Sequence, residues 1–149
     1  MTPKVTLCQA LEDPELLGAA LAGPSWHAWR SLLLAAMGEP LEPDELETFK
    51  RLTGRSIPPS EHVDELWCCV GRRGGKSRAM STLAVYLAGL CDYSDKLAQG
   101  ERGVVLLLAP DMKQANAARL CRRHPRIHAV TKATAHVSDS GDVDALNRH

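Results

Sequence analysis

The chain has 149 residues with 18 basic and 18 acidic side chains, so its formal net charge is zero and whole-chain charge gives no support to DNA or membrane binding. A hydrophobic share of 44% and a charged share of 24% are those of a soluble globular protein long enough for one domain with a sizeable core. The five cysteines (Cys8, Cys68, Cys69, Cys91 and Cys121) form no C-x-x-C pair and read as buried or free thiols in a reducing cytosol rather than as metal ligands, and no apolar run approaches membrane-spanning length.

Residues 1–23 read as short helices. Asp13-Pro14-Glu15 has the order of a helix start: a cap, a proline at the first helical position and an acid in the first turn. Leu16, Leu17 and Leu21 then supply an apolar stripe, and Gly23-Pro24 ends it. Ser25 is placed to cap a helix from about Trp26 to Met37, in which Trp26, Trp29, Arg30, Leu33 and Met37 share one side. Two tryptophans at that spacing read as core rather than as a base-stacking platform. A third helix follows Glu42-Pro43, carries Leu46, Phe49 and Leu52, and stops at Gly54. The stretch Arg55 to Ser60, with Pro58-Pro59, is an extended loop.

The stretch Leu66 to Ser77 carries the chemistry. An apolar run, Leu66-Trp67-Cys68-Cys69-Val70, precedes a glycine-rich turn, Gly71-Arg72-Arg73-Gly74-Gly75, and Lys76-Ser77 opens a helical run that continues to Leu90. This is the layout of a P-loop, in which successive backbone N–H groups and a helix N-terminus cradle phosphates. Lys76 would reach the β- and γ-phosphates of ATP, and the Ser77 hydroxyl would ligate Mg²⁺. The spacing departs from the standard motif, whose first glycine would fall at Val70; here the glycine is Gly71. A glycine turn without a ligand is the alternative. Basic side chains gather at Arg72, Arg73, Lys76 and Arg78, and again at Arg119, Arg122 and Arg123.

Beyond that helix, residues 92–102 are polar and loop-like. The run Gly103 to Ala109 has the continuous apolar character of a buried parallel strand, and Met112 to Arg123 reads as a helix after Pro110 and Asp111. The expected fold class is therefore α/β: a partial P-loop NTPase parallel sheet preceded by a helical N-terminal segment. The expected division is a helical segment over 1–65, a partial ATPase core over 66–123, and a disordered or out-of-family tail over 124–149.

Several of these residues resemble the beginning of tailed-phage terminase large subunits. They are Trp26-x-x-Trp29-Arg30, Leu52-Thr53-Gly54-Arg55 with Pro58-Pro59, Leu66-Trp67, and Gly71-Arg72-Arg73-Gly74-Gly75-Lys76-Ser77. The later Gly100-Glu101-Arg102-Gly103 and Leu108-Ala109-Pro110-Asp111-x-x-Gln114-Ala115 fit the same pattern, so the resemblance covers about residues 7–122. It implies the N-terminal part of an ATP-driven motor that packs DNA into a capsid. Lys76 and Arg72 or Arg73 would be the catalytic cations, residues 71–77 the phosphate cradle, Ser77 the Mg²⁺ ligand, and Arg55 a contact to adenine or ribose. Partners implied are double-stranded phage DNA, the portal protein and the terminase small subunit, in an oligomer working in the host cytosol without a membrane.

Hydrolysis in that family also needs a second apolar strand ending in acids, and none follows Arg123. The only later acids are Asp139, Asp142 and Asp144 in the polar tail. The expectation is a truncated or frame-shifted gene product that binds ATP without hydrolysing it, with residues from about His124 onward unrelated to the family. A non-enzymatic module docking on DNA or a partner, and another P-loop NTPase such as a helicase, are the alternatives.

Overall fold

Thr6 opens the first helix. In the computed structural model, which describes residues 1–99, 101 and 103–105, α1 (Leu7–Glu12) begins with a reciprocal cap. The Thr6 hydroxyl accepts the Gln9 N–H at 3.2 Å while the Gln9 side chain accepts the Thr6 N–H at 3.2 Å. Two further N–H groups of its first turn, those of Leu7 and Cys8, donate to the Glu39 carboxylate at 2.5 and 2.9 Å. A negative charge at a helix N-terminus is favourable in itself and also satisfies donors that the helix cannot.

Asp13 ends α1 instead of starting a second helix. Its side chain accepts the Glu15 N–H at 2.8 Å, and its carbonyl takes both Leu16 N–H at 3.1 Å and Gly18 N–H at 2.9 Å. Aspartate bonding to its own chain two residues on favours turns as readily as helix caps. Residues 14–21 are accordingly a run of turns that still buries Leu17 and Leu21.

After Gly23, the 3₁₀ turn Pro24–Trp26 leads into α2 (His27–Ala36). Ser25, expected as a cap, lies inside that 3₁₀ turn and caps nothing. The third helix, α3 (Pro43–Thr53), has Pro43 in its first turn, a Glu42–Glu45 capping box, and Lys50 and Arg51 in its last turn. It stops at Gly54, whose φ of 69° is left-handed. It packs on α2 and buries Phe49.

Residues 54–75 form no regular element. Val63 N–H donates to the Ala36 carbonyl at 2.8 Å, tying this long connection to the end of α2. The expected strand at Leu66–Val70 is assigned no regular element and has no ladder partner among the described residues. The second expected strand, Gly103–Ala109, and everything beyond it lie almost wholly outside the described residues. The sheet seen among the described residues is a two-residue antiparallel ribbon, β1 (Thr2–Pro3) against β2 (Cys91–Asp92), with Thr2 opposite Asp92 and Pro3 opposite Cys91.

The ribbon is closed by α4 (Lys76–Leu90). Lys4 N–H donates to the Leu90 carbonyl at 2.9 Å, and the fully buried Tyr86 hydroxyl donates to the Val5 carbonyl at 2.9 Å. Burial pushes the Tyr86 phenol and the Cys91 thiol above their ordinary values. One core joins Leu7 and Leu11 of α1, Leu33 and Leu34 of α2, and Ala79 and Tyr86 of α4. The helical lead-in and the helix after the glycine turn thus share their packing, across the division expected at residue 65.

Candidate functional site

The turn between Val70 and α4 is built in two steps. Gly74 N–H closes on the Gly71 carbonyl at 3.2 Å, making a four-residue turn with Arg72 and Arg73 at its tip. Arg73 has a φ of 62°, alone among the described non-glycine residues in the left-handed region. The chain then passes through Gly75, with φ 79°, directly into α4 at Lys76.

Both glycines are required where they stand. A Cβ on Gly74 would lie 2.5 Å from Val70 Cγ1. On Gly75 it would lie 2.7 and 2.9 Å from the outer edge of the Trp26 ring and 3.3 Å from Trp29 Nε1. The Trp29 indole N–H donates to the Gly74 carbonyl at 2.7 Å. The sequence reading placed these tryptophans in the core. Trp29 is indeed buried, yet both also form the floor under the glycines. Their i, i+3 spacing on one side of the helix was the available signal; the contact itself spans 45 residues and has no local signature.

The front of the turn is open. Gly71, Arg72, Arg73, Gly74, Lys76 and Ser77 are exposed, and Gly75 is half-buried. No side chain caps α4, and the N–H groups of Gly75, Lys76 and Ser77 have no acceptor among the described residues. Arg72, Arg73 and Lys76 form no ion pair among the described residues. The Ser77 carbonyl accepts the Ser81 hydroxyl at 2.6 Å, while no hydrogen bond of its own hydroxyl occurs among the described residues. Free N–H groups at a helix start, three unpaired cations and a glycine backbone with no Cβ in the way are together a set of groups suited to an anion with several oxygens.

Arg78 does not belong to that set. Its guanidinium lies 5.0 Å from the centre of the Trp26 ring. It donates to the Ala19 carbonyl at 2.8 Å and also to the Ala20 carbonyl. The fourth cation of the local cluster is therefore committed to holding the turns at 14–21 against the start of α4.

A cleft of about 700 Å³ runs between α2, α3 and the stretch leading to the turn. Arg55, Phe49 and Trp67 stand along it, and Gly71 lies at its wall, so the expected adenine or ribose contact and the phosphate turn border one space. Trp67 is 88% exposed, and its indole donates to Glu65 at 2.9 Å. Among the described residues no group of three or more His, Cys, Asp or Glu is arranged to hold a metal. Arg119, Arg122, Arg123, Gln114 and the acids of the tail lie outside the described residues.

No helix among the described residues is long and apolar enough to cross a membrane. Comparisons with protein-family models, with curated proteins and with solved structures found no match.

Proposed function

We propose that residues 71–77 bind the phosphates of Mg·ATP, and that the chain is the N-terminal part of a DNA-packaging motor ATPase of the terminase large-subunit type. The observation that carries the nucleotide reading is the uncapped start of α4. Its Gly75, Lys76 and Ser77 N–H groups, without acceptors among the described residues, lie beside the Lys76 side chain, immediately after a turn in which a Cβ on Gly74 or Gly75 would meet Val70 or Trp26. A phosphate chain satisfies all of these donors at once. Lys76 supplies the point charge on the outer phosphates, Ser77 an oxygen for Mg²⁺, and Arg72 or Arg73 a fixed cation for the γ-phosphate. Arg55, on the shared cleft, is assigned to the base or ribose.

The motor assignment rests on the order and spacing of the sequence motifs, and with it come DNA, the portal, the small subunit and a cytosolic setting as partners and place. Hydrolysis draws on carboxylates at the end of a second apolar strand, a pattern that the sequence after Arg123 does not contain. For these 149 residues the activity proposed is therefore binding without turnover. Isothermal titration with Mg·ATP tests it: binding is expected, and Lys76→Ala should weaken it by tenfold or more, since a charged hydrogen bond is worth about 1.5–3 kcal/mol. Phosphate release should stay at background for both proteins. Equal affinity in the variant would remove the P-loop reading, and Lys76-dependent phosphate release would remove the claim of binding alone.

A further inference from the structure

The back of the phosphate turn is made by residues that local sequence does not connect to it. Trp29 donates to the carbonyl of Gly74, and the Trp26 ring lies against the position a Gly75 side chain would take. Arg78 covers that ring and ties it to the Ala19 and Ala20 carbonyls. A glycine pair in open solvent samples many conformations, most of which do not line up successive N–H groups. Here one peptide is held by a hydrogen bond and the next by an aromatic surface.

We propose that Trp26 and Trp29 are positioning residues of the phosphate turn, holding Gly74 and Gly75 in the single conformation that leaves the Gly75, Lys76 and Ser77 N–H groups ready for phosphate. The proposal rests on the nucleotide reading above and adds that the helical lead-in is part of the binding site. Binding then does not have to order the glycines, and that saving appears as affinity. Neither tryptophan touches the phosphates; each acts through the backbone it supports.

The test compares Trp29→Phe, which keeps a ring and loses the donor, with Trp26→Leu, which removes the aromatic floor under Gly75. Leu33→Val, a core change on the same helix, is the control for lost stability alone. The 149-residue chain is used, well below its unfolding transition, with Mg·ATP affinity by calorimetry and backbone NMR order parameters without ligand. Trp29→Phe should weaken Mg·ATP by about threefold to tenfold, the range for one net hydrogen bond. Both tryptophan variants should lower the order parameters at Gly74, Gly75 and Lys76 relative to the rest of α4. Leu33→Val should lower the unfolding temperature and change neither. If both tryptophan variants match Leu33→Val in affinity and in order parameters, the proposal is overturned. If the wild-type chain binds no Mg·ATP, the nucleotide reading fails by itself and the order parameters alone decide: a local drop upholds the positioning role, and unchanged values end it.

Discussion

Arg73 and Gly75 both stand in the left-handed region within three residues, and the turn treats them differently. A non-glycine residue there costs roughly 1–2 kcal/mol, because Cβ crowds the following carbonyl. At Arg73 that strain is retained together with an exposed guanidinium that forms no ion pair among the described residues, the combination in which strain points to function. Arg73→Gly should therefore raise stability by about 1 kcal/mol in urea titration while weakening Mg·ATP. A variant that gains stability and keeps full affinity would leave the proposed γ-phosphate contact to Arg72. Gly75→Ala adds a side chain at φ 79° against the Trp26 ring, so strain and overpacking combine to about 2–4 kcal/mol and binding is lost. Gly54 is the matched control. Its φ is 69° with open space where a Cβ would go, so Gly54→Ala should cost only about 1 kcal/mol and leave affinity alone.

At the level of elements, α1 shows how a six-residue helix persists when an isolated one of that length would not form. Glu39 takes two of its first N–H groups from 32 and 31 residues away. Glu39→Ala leaves both donors unsatisfied in a partly buried place and should destabilise the protein by about 1–3 kcal/mol in urea. A change below half a kcal/mol would mean that water replaces the carboxylate without loss. The same element marks what the sequence could reveal. The start and stop of α3 were legible because Pro43 and Gly54 act locally, and the start of α4 at Lys76 followed from the glycines before it. Asp13 was misread as a helix start because aspartate serves caps and turns by the same hydrogen bond, and the Thr6–Gln9 box that starts α1 carried a sequence signal that went unused. The Glu39 cap and the tryptophan floor under Gly74 and Gly75 were illegible, since each joins residues more than 30 positions apart. The exposed glycine turn was therefore legible in the local sequence, and the tryptophans behind it were not.

For the whole molecule, the decisive packing is that of α4 against the chain's first residues, since it joins the helix carrying Lys76 to the lead-in that carries the tryptophans. Tyr86 sits at that junction, fully buried, with its hydroxyl on the Val5 carbonyl. Burial raises its pKa above the ordinary 10.0, and Cys8, Cys91 and Tyr93 are raised as well, chiefly by burial. A raised folded-state pKa means stability that is complete below the unfolded-state value and is lost as pH climbs toward the folded one. The unfolded chain begins to ionise its thiols near 9.0 and its phenols near 10.0, the ordinary values of these groups. Stability should therefore be flat from neutral pH to about 9 and then fall, each such group adding a slope of up to about 1.4 kcal/mol per pH unit. Tyr86→Phe loses the bond to Val5, costing about 1 kcal/mol at neutral pH, but it also removes one ionising group, so its alkaline limb should be shallower than that of the wild type. Urea midpoints measured from pH 7 to 11 test this directly. Parallel alkaline limbs would show that the Tyr86 phenol is not held neutral, and that the junction between α4 and the first residues is looser than its hydrogen bond indicates.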